Sequence, residues 1–386
     1  MKQRLYKIVY ITAFFLLFAC INKNVNSYKD VPYTGNSNIS FNSISMDTIS
    51  IDGSKTSLVG RWSCLDDKLI FGDFYYGSFY IYDTNFNFKN KVLSRGRGPN
   101  EIPSKKWVDY TVHDDQIFII GSSYDYYIVN NRTWKKEKSS RLNFSNESTN
   151  IKKLFNDPKP HYLGLYEVNY PGLNLSFLNS GKLLFSISTT HPKVNAYTSR
   201  VFYDEFNTIA TLDLKNNKIE NMFCNYSPIY QDYEYIPQFS NVLFTKSKDE
   251  LLFSFEADSL IYRAKEDNII TSKYGNKGRN ISAEYPEVTT TDNYVGVYKT
   301  DRAQFGYYKY LKSIPDTGIL FRGYQKDKPS KMDGLQVYRD NNLIGDVNVP
   351  IGFRIIGYIE PYYYAQLPPD DLKEEFTLFK FKLDNQ

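Results

Sequence analysis

The chain has 386 residues with 47 basic against 43 acidic side chains, a formal net charge of +4, and three of those positive charges (Lys2, Arg4, Lys7) fall at the very start. A near-neutral body of mixed sign argues against an electrostatic nucleic-acid binder or a polybasic membrane-surface protein. Aromatic residues make up 17% of the chain, with 35 Tyr and 27 Phe, while only 23% of residues are charged. That composition excludes disorder over most of the length and favours half-buried pleated surfaces around a sizeable core.

Taken in chain order, the first element is a leader. Behind the basic start, the uncharged apolar run Ile8 to Ala19 is about 12 residues, within the roughly 7–15 of a secretory signal and short of the about 20 that a spanning helix needs. The run ends at Leu17-Phe18-Ala19-Cys20, which resembles a bacterial lipobox with Cys20 as the lipidated first mature residue; Phe18 is bulkier than is usual there. A plain cleaved signal is the alternative. An Asn/Ser/Lys-rich stretch follows to about Ser40 and reads as a flexible tether. The expected layout is a signal peptide over 1–19, lipidated Cys20 and tether over 20–40, and one domain over 41–386. No Asp follows Cys20 and no acidic cluster follows Lys23, so the expected location is the outer membrane, lipid-anchored, facing the periplasm, with the cell surface as the alternative.

The body repeats. Asp66-Asp67, Asp114-Asp115, Ser180-Gly181, Lys248-Asp249 and Thr317-Gly318 each open a short apolar strand, at spacings of 48, 66, 68 and 69 residues. An alternating strand ending in an Asp/Asn/Lys turn follows each of them, at 79–85, 126–132, 209–217, 259–268 and 335–342, and a sixth copy, LFKFKLDNQ, ends the sequence. Six copies predict an all-β fold, a six-bladed β-propeller of four-stranded antiparallel blades. The last blade stops at its third strand, with GFRIIGYI and PYYYAQL before it. The otherwise unassigned alternating strand Ile44 to Ile51 is expected to supply the fourth and close the ring. Seven blades is the alternative count, and a β-sandwich with 44–51 as an edge is the alternative architecture. The Pro-containing stretch 144–175 is the expected insertion.

Chemical motifs are scarce. The sequence holds no phosphate-binding P-loop, HExxH, GxSxG or CxxC pattern, and His113, His161 and His191 fall in separate segments. Asp83 to Asn87 begins like a calcium loop, but Phe88 stands where Gly is needed, so a hairpin turn is the better reading. No metal and no cofactor are expected. Cys64, on an inner strand of the first blade, and Cys224, at an outer strand of the third, are expected to be unpaired, mostly buried thiols. Ser94-Arg95-Gly96-Arg97-Gly98-Pro99-Asn100-Glu101 could present N–H groups and guanidinium forks to an anion. Its recurrence as Tyr274-Gly275-Asn276-Lys277-Gly278-Arg279, at the same exit of the fourth blade, favours a connector instead.

On Gly96, Gly98, Pro99 and Glu101, behind a lipobox and among repeated YD- or DN-terminated strands, the sequence resembles the TolB-like six-bladed β-propeller lipoproteins of Bacteroides-type bacteria. Ser227-Pro228-Ile229-Tyr230 and LLFSFEADSLIY resemble a sister group of unknown function. The resemblance implies a cell-envelope propeller and transfers no catalytic residue. The leading expectation is therefore a non-enzymatic scaffold that binds an envelope protein or a small ligand, with its membrane contact through the lipid and no nucleic acid. Glycan binding is one alternative, motivated by Phe74-Tyr75-Tyr76, Tyr124 to Tyr127 and Tyr362-Tyr363-Tyr364. A polysaccharide hydrolase or lyase is another, for which Asp109 with Glu101 just before it is the best start. The candidate site residues lie where inner strands meet the channel: Arg61 and Trp62 in the first blade, Trp107 and Asp109 in the second, Arg354 in the sixth, with Arg97 and Glu101 on the nearby connector.

Overall fold

The computed structural model describes residue 28 and residues 30–98, 100–103, 106–145, 150–266, 268–288 and 294–383. Short apolar runs broken by Asp, Asn and Gly turns fold as six small sheets around a central channel, a six-bladed β-propeller. From channel to rim, blade 1 is Gly60–Leu65, Lys68–Asp73, Ser78–Tyr82 and Phe88–Val92. Blade 2 is Trp107–His113, Gln116–Gly121, Asp125–Asn130 and Lys136–Arg141. Blade 3 is Leu175–Phe177, Leu183–Ser188, Ile209–Asp213 and Lys218–Phe223. Blade 4 is Val242–Ser247, Glu250–Phe255, Ile261–Lys265 and Ile270–Tyr274. Blade 5 is Tyr308–Ile314, Ile319–Tyr324, Met332–Arg339 and Asn342–Pro350. Blade 6 is Arg354–Ile359, Tyr362–Gln366 and Glu375–Phe381, with Met46–Asp52 outermost.

Each innermost strand touches the innermost strands of both neighbouring blades, so the ring is complete. The second strands are the most apolar because both of their faces are covered by adjacent blades, as in Gln116–Gly121, where Ile117, Phe118, Ile119 and Ile120 are fully buried. Closure follows the expected route. Met46–Asp52 runs antiparallel to Glu375–Phe381, placing Ile49 opposite Leu378 and Ile51 opposite Phe376. The first and last parts of the domain thus share one sheet, and their pairing holds the ring closed.

The stretch read as a tether to residue 40 is not all free chain. Tyr28 is buried, donates its hydroxyl to the Asn225 carbonyl at 2.5 Å and packs edge-on against Tyr262 at 4.8 Å. Thr34 N–H and Lys273 N–H bond to backbone carbonyls across the rim of blade 4. Asn36–Phe41 then adds to blade 5 as a fifth strand, parallel to Asn342–Pro350. The N-terminal segment therefore belts the outer edges of blades 4 and 5 before closing blade 6. Its polar composition suits a rim strand with one wet face, which is why it reads as linker in sequence. Cys20 and the leader lie outside the described residues.

The expected insertion at 144–175 is present and carries the helix Ile151–Asn156. Two further helical insertions, Arg200–Glu205 within blade 3 and Tyr294–Gln304 between blades 4 and 5, were not read from the sequence. The second is fastened by a bidentate pair. Arg302 donates to both carboxylate oxygens of buried Glu256 at 2.8 and 3.0 Å, and its guanidinium lies 4.1 Å from the centroid of the Tyr307 ring.

Candidate functional site

The innermost strands enclose a channel of about 490 Å³. It runs from Arg61 and Arg354, near the starts of their strands in blades 1 and 6, to His113 and Asp316, where the first strands of blades 2 and 5 end. An innermost strand has no sheet partner on its channel side. Its side chains there meet water, and the lining is accordingly rich in hydroxyl, amide and charged groups, including Ser63, Thr111, Asn174, Thr245 and Ser313.

Two sequence-predicted residues meet at one end. Arg61 Nη1 lies 2.9 Å from Asp109 Oδ1, its Nη2 donates to the Tyr110 carbonyl, and its guanidinium lies 4.9 Å from the Tyr110 ring centroid. The Tyr110 hydroxyl donates back to the Arg61 carbonyl at 3.0 Å, and Tyr110 N–H donates to Asp109 Oδ1 at 2.8 Å. The four contacts of Arg61 staple blade 1 to blade 2, and the Tyr110 N–H fixes the Asp109 carboxylate within blade 2. Burial pushes the Asp109 carboxyl above its ordinary value, while the charge of Arg61, then the Tyr110 N–H and Arg354, pull it back. Arg61→Ala leaves that carboxylate buried with its nearest cation gone. The expected loss is roughly 3 kcal/mol at pH 7, at the low end for a broken buried pair because the channel wets both groups. A carboxyl raised by folding is most compatible with the fold when protonated, and this stabilisation is lost as pH rises through the raised value. The deficit of Arg61→Ala relative to wild type therefore shrinks toward pH 5 in paired urea titrations. An equal deficit at pH 5 and pH 7 would rule out the stranded carboxylate as its cause.

Arg354 and Lys312 complete a cationic end. Arg354 sits 5.5 Å from the Tyr310 ring centroid and is exposed in the channel. Partial loss of hydration in the channel, followed by the like charge of Arg61, pushes Arg354 below its ordinary value. Lys312 is pushed down to about 8, by burial first and by Arg61 and Arg354 after it, with Cys64 acting in the opposite sense. Among the described residues, the carboxylate that acts on Arg354 is Asp109, already paired to Arg61, and none acts on Lys312. Lys312 was missed in the sequence because YKYLKSI alternates like any half-exposed strand. Its place three residues ahead of the Pro315-Asp316-Thr317-Gly318 turn, on the first strand of a blade, was the available signal.

The other predicted residues lie elsewhere. Trp62 borders the channel but is 2% exposed, wedged among Phe71, Tyr82 and Phe376 at ring distances of 5.0–5.4 Å. Trp107 is equally buried, packed 5.2 Å from Phe79 between blades 1 and 2. Arg97 is exposed on the connector. Glu101 turns back on that connector, where its carboxylate accepts the Gly98 N–H at 2.7 Å, and a Cβ on Gly96 would stand 2.0 Å from it. The segment's own carboxylate thus occupies the place an anion would take. The second connector behaves alike: Asn276, Gly278 and Arg279 donate their N–H groups to the hydroxyls of Tyr338, Tyr308 and Tyr324 at 2.9–3.1 Å. Gly275 ahead of them has φ +126°, a backbone open to glycine.

Of the aromatic clusters, Tyr126, Tyr127, Tyr363 and Tyr364 are buried packing, whereas Tyr75 and Tyr76 are exposed with their rings edge to face at 5.7 Å. Asp83 caps its hairpin, pairing with Lys89 at 2.7 Å and accepting the Asn85 and Asn87 N–H groups. Neither Cys64 nor Cys224 forms a disulfide, and the Cys224 sulfur lies 3.9 Å from the Tyr28 hydroxyl. His113 stacks on Phe177 at the channel wall, at 4.7 Å. No group of three or more His, Cys, Asp or Glu suited to a metal occurs among the described residues.

Fold and site together define a closed propeller with a polar channel that is cationic at one end. Solved structures of the same shape place it further. The chain is similar to a member of the DUF4221 family from Bacteroides vulgatus, with a TM-score of 0.66 at 12% identity over 89% of this chain and 99% of the other. It is also similar to a protein of Bacteroides fragilis described as exported, with a TM-score of 0.55 at 17% identity over 91% and 98%. At these identities the likeness is one of fold. No family model matches the chain, and no curated protein does. Among the described residues, no helix is long and apolar enough to cross a membrane.

Proposed function

We propose that this chain is a cell-envelope lipoprotein of TolB-like type, anchored through Cys20, whose propeller serves as a binding scaffold for a small ligand or a protein partner. The observation that carries the reading is the closed ring around a polar channel beside which the buried carboxylate of Asp109 is held by Arg61. A carboxylate engaged in this way joins two blades and is not free to take a proton from a substrate. Seven residues separate Cys20 from docked Tyr28. Fully extended, that interval spans about 28 Å, so an anchor at Cys20 keeps the rim of blades 3 and 4 close to the bilayer. The glycan alternative is favoured by a separate observation: exposed Tyr75 and Tyr76 border a shallow pocket that also holds Asp371 and Glu374.

The test is purification of the tagged full-length protein from envelopes, with mass spectrometry of its first mature peptide and a glycan array alongside. The expected result is an acylated Cys20, release of Cys20→Ala from membranes, and co-purification of a specific partner or small molecule. An unmodified amino terminus removes the anchor. Retention of a defined sugar, lost in Tyr75→Ala, replaces the scaffold with the glycan reading.

A further inference from the structure

In the sector of blades 5, 6 and 1 the channel wall carries three cations, Arg61, Lys312 and Arg354, while Lys246 of blade 4 and Asp316 line it elsewhere. Arg61 is paired with Asp109, whereas Lys312 and Arg354 line the same cavity and form no ion pair with a carboxylate among the described residues. Gathering like charges on one wall is costly unless a counter-charge accompanies them, and perturbed cations clustered in a cleft mark a candidate binding site. The three come from the innermost strands of blades 1, 5 and 6, which are consecutive around the ring, so they share one sector of the wall. Arg354 lies over Tyr310, which limits the orientations of its planar fork, and Lys312 supplies a compact charge. The volume of about 490 Å³ suits a metabolite-sized guest and excludes a folded domain.

We propose that this channel binds a small oxyanion carrying two negative charges, held between Arg354 and Lys312 beside the Arg61–Asp109 pair. Two unmatched cations call for two charges on the guest, and the hydroxyl and amide groups further along the wall give hydrogen bonds to its uncharged part. This rests on the binding-scaffold reading and specifies its ligand. Binding is coupled to a proton. The groups that act on or line the channel with Lys312 are Arg61 and Cys64 of blade 1, Arg354 of blade 6, Lys246 of blade 4, His113 of blade 2 and Asp316 at the end of its own strand. A dianion beside Lys312 favours its charged form, so the guest binds best where the lysine is already protonated and affinity falls as pH rises past about 8.

The test uses the full-length protein in detergent with succinate, inorganic phosphate and glucose as probes, read by titration calorimetry and by thermal shift. Binding of succinate or phosphate without glucose is expected, and the stronger of the two separates a dicarboxylate from a phosphate source. Arg354→Gln and Lys312→Met each weaken it at least 10-fold. Succinate stays fully ionised above pH 7, and its affinity should drop about 10-fold between pH 7 and pH 9 in wild type and lose that step in Lys312→Met. Should a variant fail to fold, the ligand-induced rise in wild-type melting temperature with succinate but not glucose still decides the matter. No heat and no thermal shift with either anion, unchanged affinity in both folded variants, or equal binding of glucose overturns the proposal. Capture of an envelope partner without anion binding keeps the scaffold and removes the dianion.

Discussion

Ile51→Asp lowers the unfolding free energy by about 4–6 kcal/mol, whereas Ser50→Asp on the adjacent position changes it by less than about 0.5 kcal/mol. The two residues share the strand Met46–Asp52 and point to opposite faces. Ile51 is buried at the seam between blades 6 and 1, in one cluster with Trp62, Phe71 and Phe376, while Ser50 is exposed. A carboxylate at 51 loses the apolar burial and must either stay charged among aromatic rings or take up a proton, and both cost free energy. Because this strand is the one that joins the ring's beginning to its end, the damage is not confined to one blade. The unfolding transition of Ile51→Asp should broaden and limited proteolysis should cut near residues 41–53 first. Urea denaturation of the pair is the measurement. Equal effects at 50 and 51 would mean that closure is held by backbone pairing alone.

The propeller was legible because its repeat is a packing repeat. KLIF, QIFII, KLLFSI, ELLFSF and ILFRGY are each apolar on both faces, as only a strand sandwiched between neighbouring blades must be. The closing strand was legible by elimination, since Ile44 to Ile51 was the alternating segment left over. Residues 28–40 were not, because a rim strand needs only a few buried contacts: Tyr28 and Val31 supply them, and the rest of the segment stays as polar as a linker. The helix Tyr294–Gln304 was missed for a related reason: polar contacts hold it, Arg302 with Glu256 and Asp301 with Gln238 among them, and its side chains carry little apolar periodicity.

The site was half legible. Position on an inner strand was enough to pick out Arg61, Asp109 and Arg354, but not to separate a residue that faces the channel from one that faces the next blade. Trp62 and Trp107 fell on the packing side of that division. Arg97 and Glu101 were selected by motif chemistry, and the geometry shows why motif chemistry fails there. A glycine-rich turn presents N–H groups, and the cheapest acceptor is a side chain three residues along the same turn, as Glu101 is to Gly98. Lys312 shows the converse: a residue acquires its chemistry from the two strands facing it, which no local pattern contains.

Arg322→Ala costs about 5 kcal/mol or more, by a route that packing arguments alone do not give. Arg322 sits in the second strand of blade 5 and is fully buried, yet its guanidinium reaches into blade 4. Its Nη1 donates to the Ser259 carbonyl at 2.6 Å, its Nη2 to Ser254 Oγ at 2.6 Å and to the Asp258 carbonyl, and the group lies 3.3 Å from the Tyr308 ring centroid. The Glu256 to Leu260 turn of blade 4 leaves two carbonyls pointing inward, and this one side chain satisfies both. Alanine strands them without water and opens a cavity beneath Tyr308. Arg322→Lys keeps the charge but replaces a rigid fork with a single point donor, so it should recover less than half of the loss. Arg97→Ala, on an exposed arginine, serves as the reference and should move stability by less than about 0.5 kcal/mol. Chemical denaturation of the three variants measures the difference. A cost for Arg322→Ala below about 1.5 kcal/mol, or full recovery by lysine, would show that apolar contact and not the fork joins blade 4 to blade 5. ILFRGY already carries this anomaly in sequence: an arginine in the most buried strand of a blade has to find its acceptors in the neighbouring blade, because its own strands have used theirs on each other.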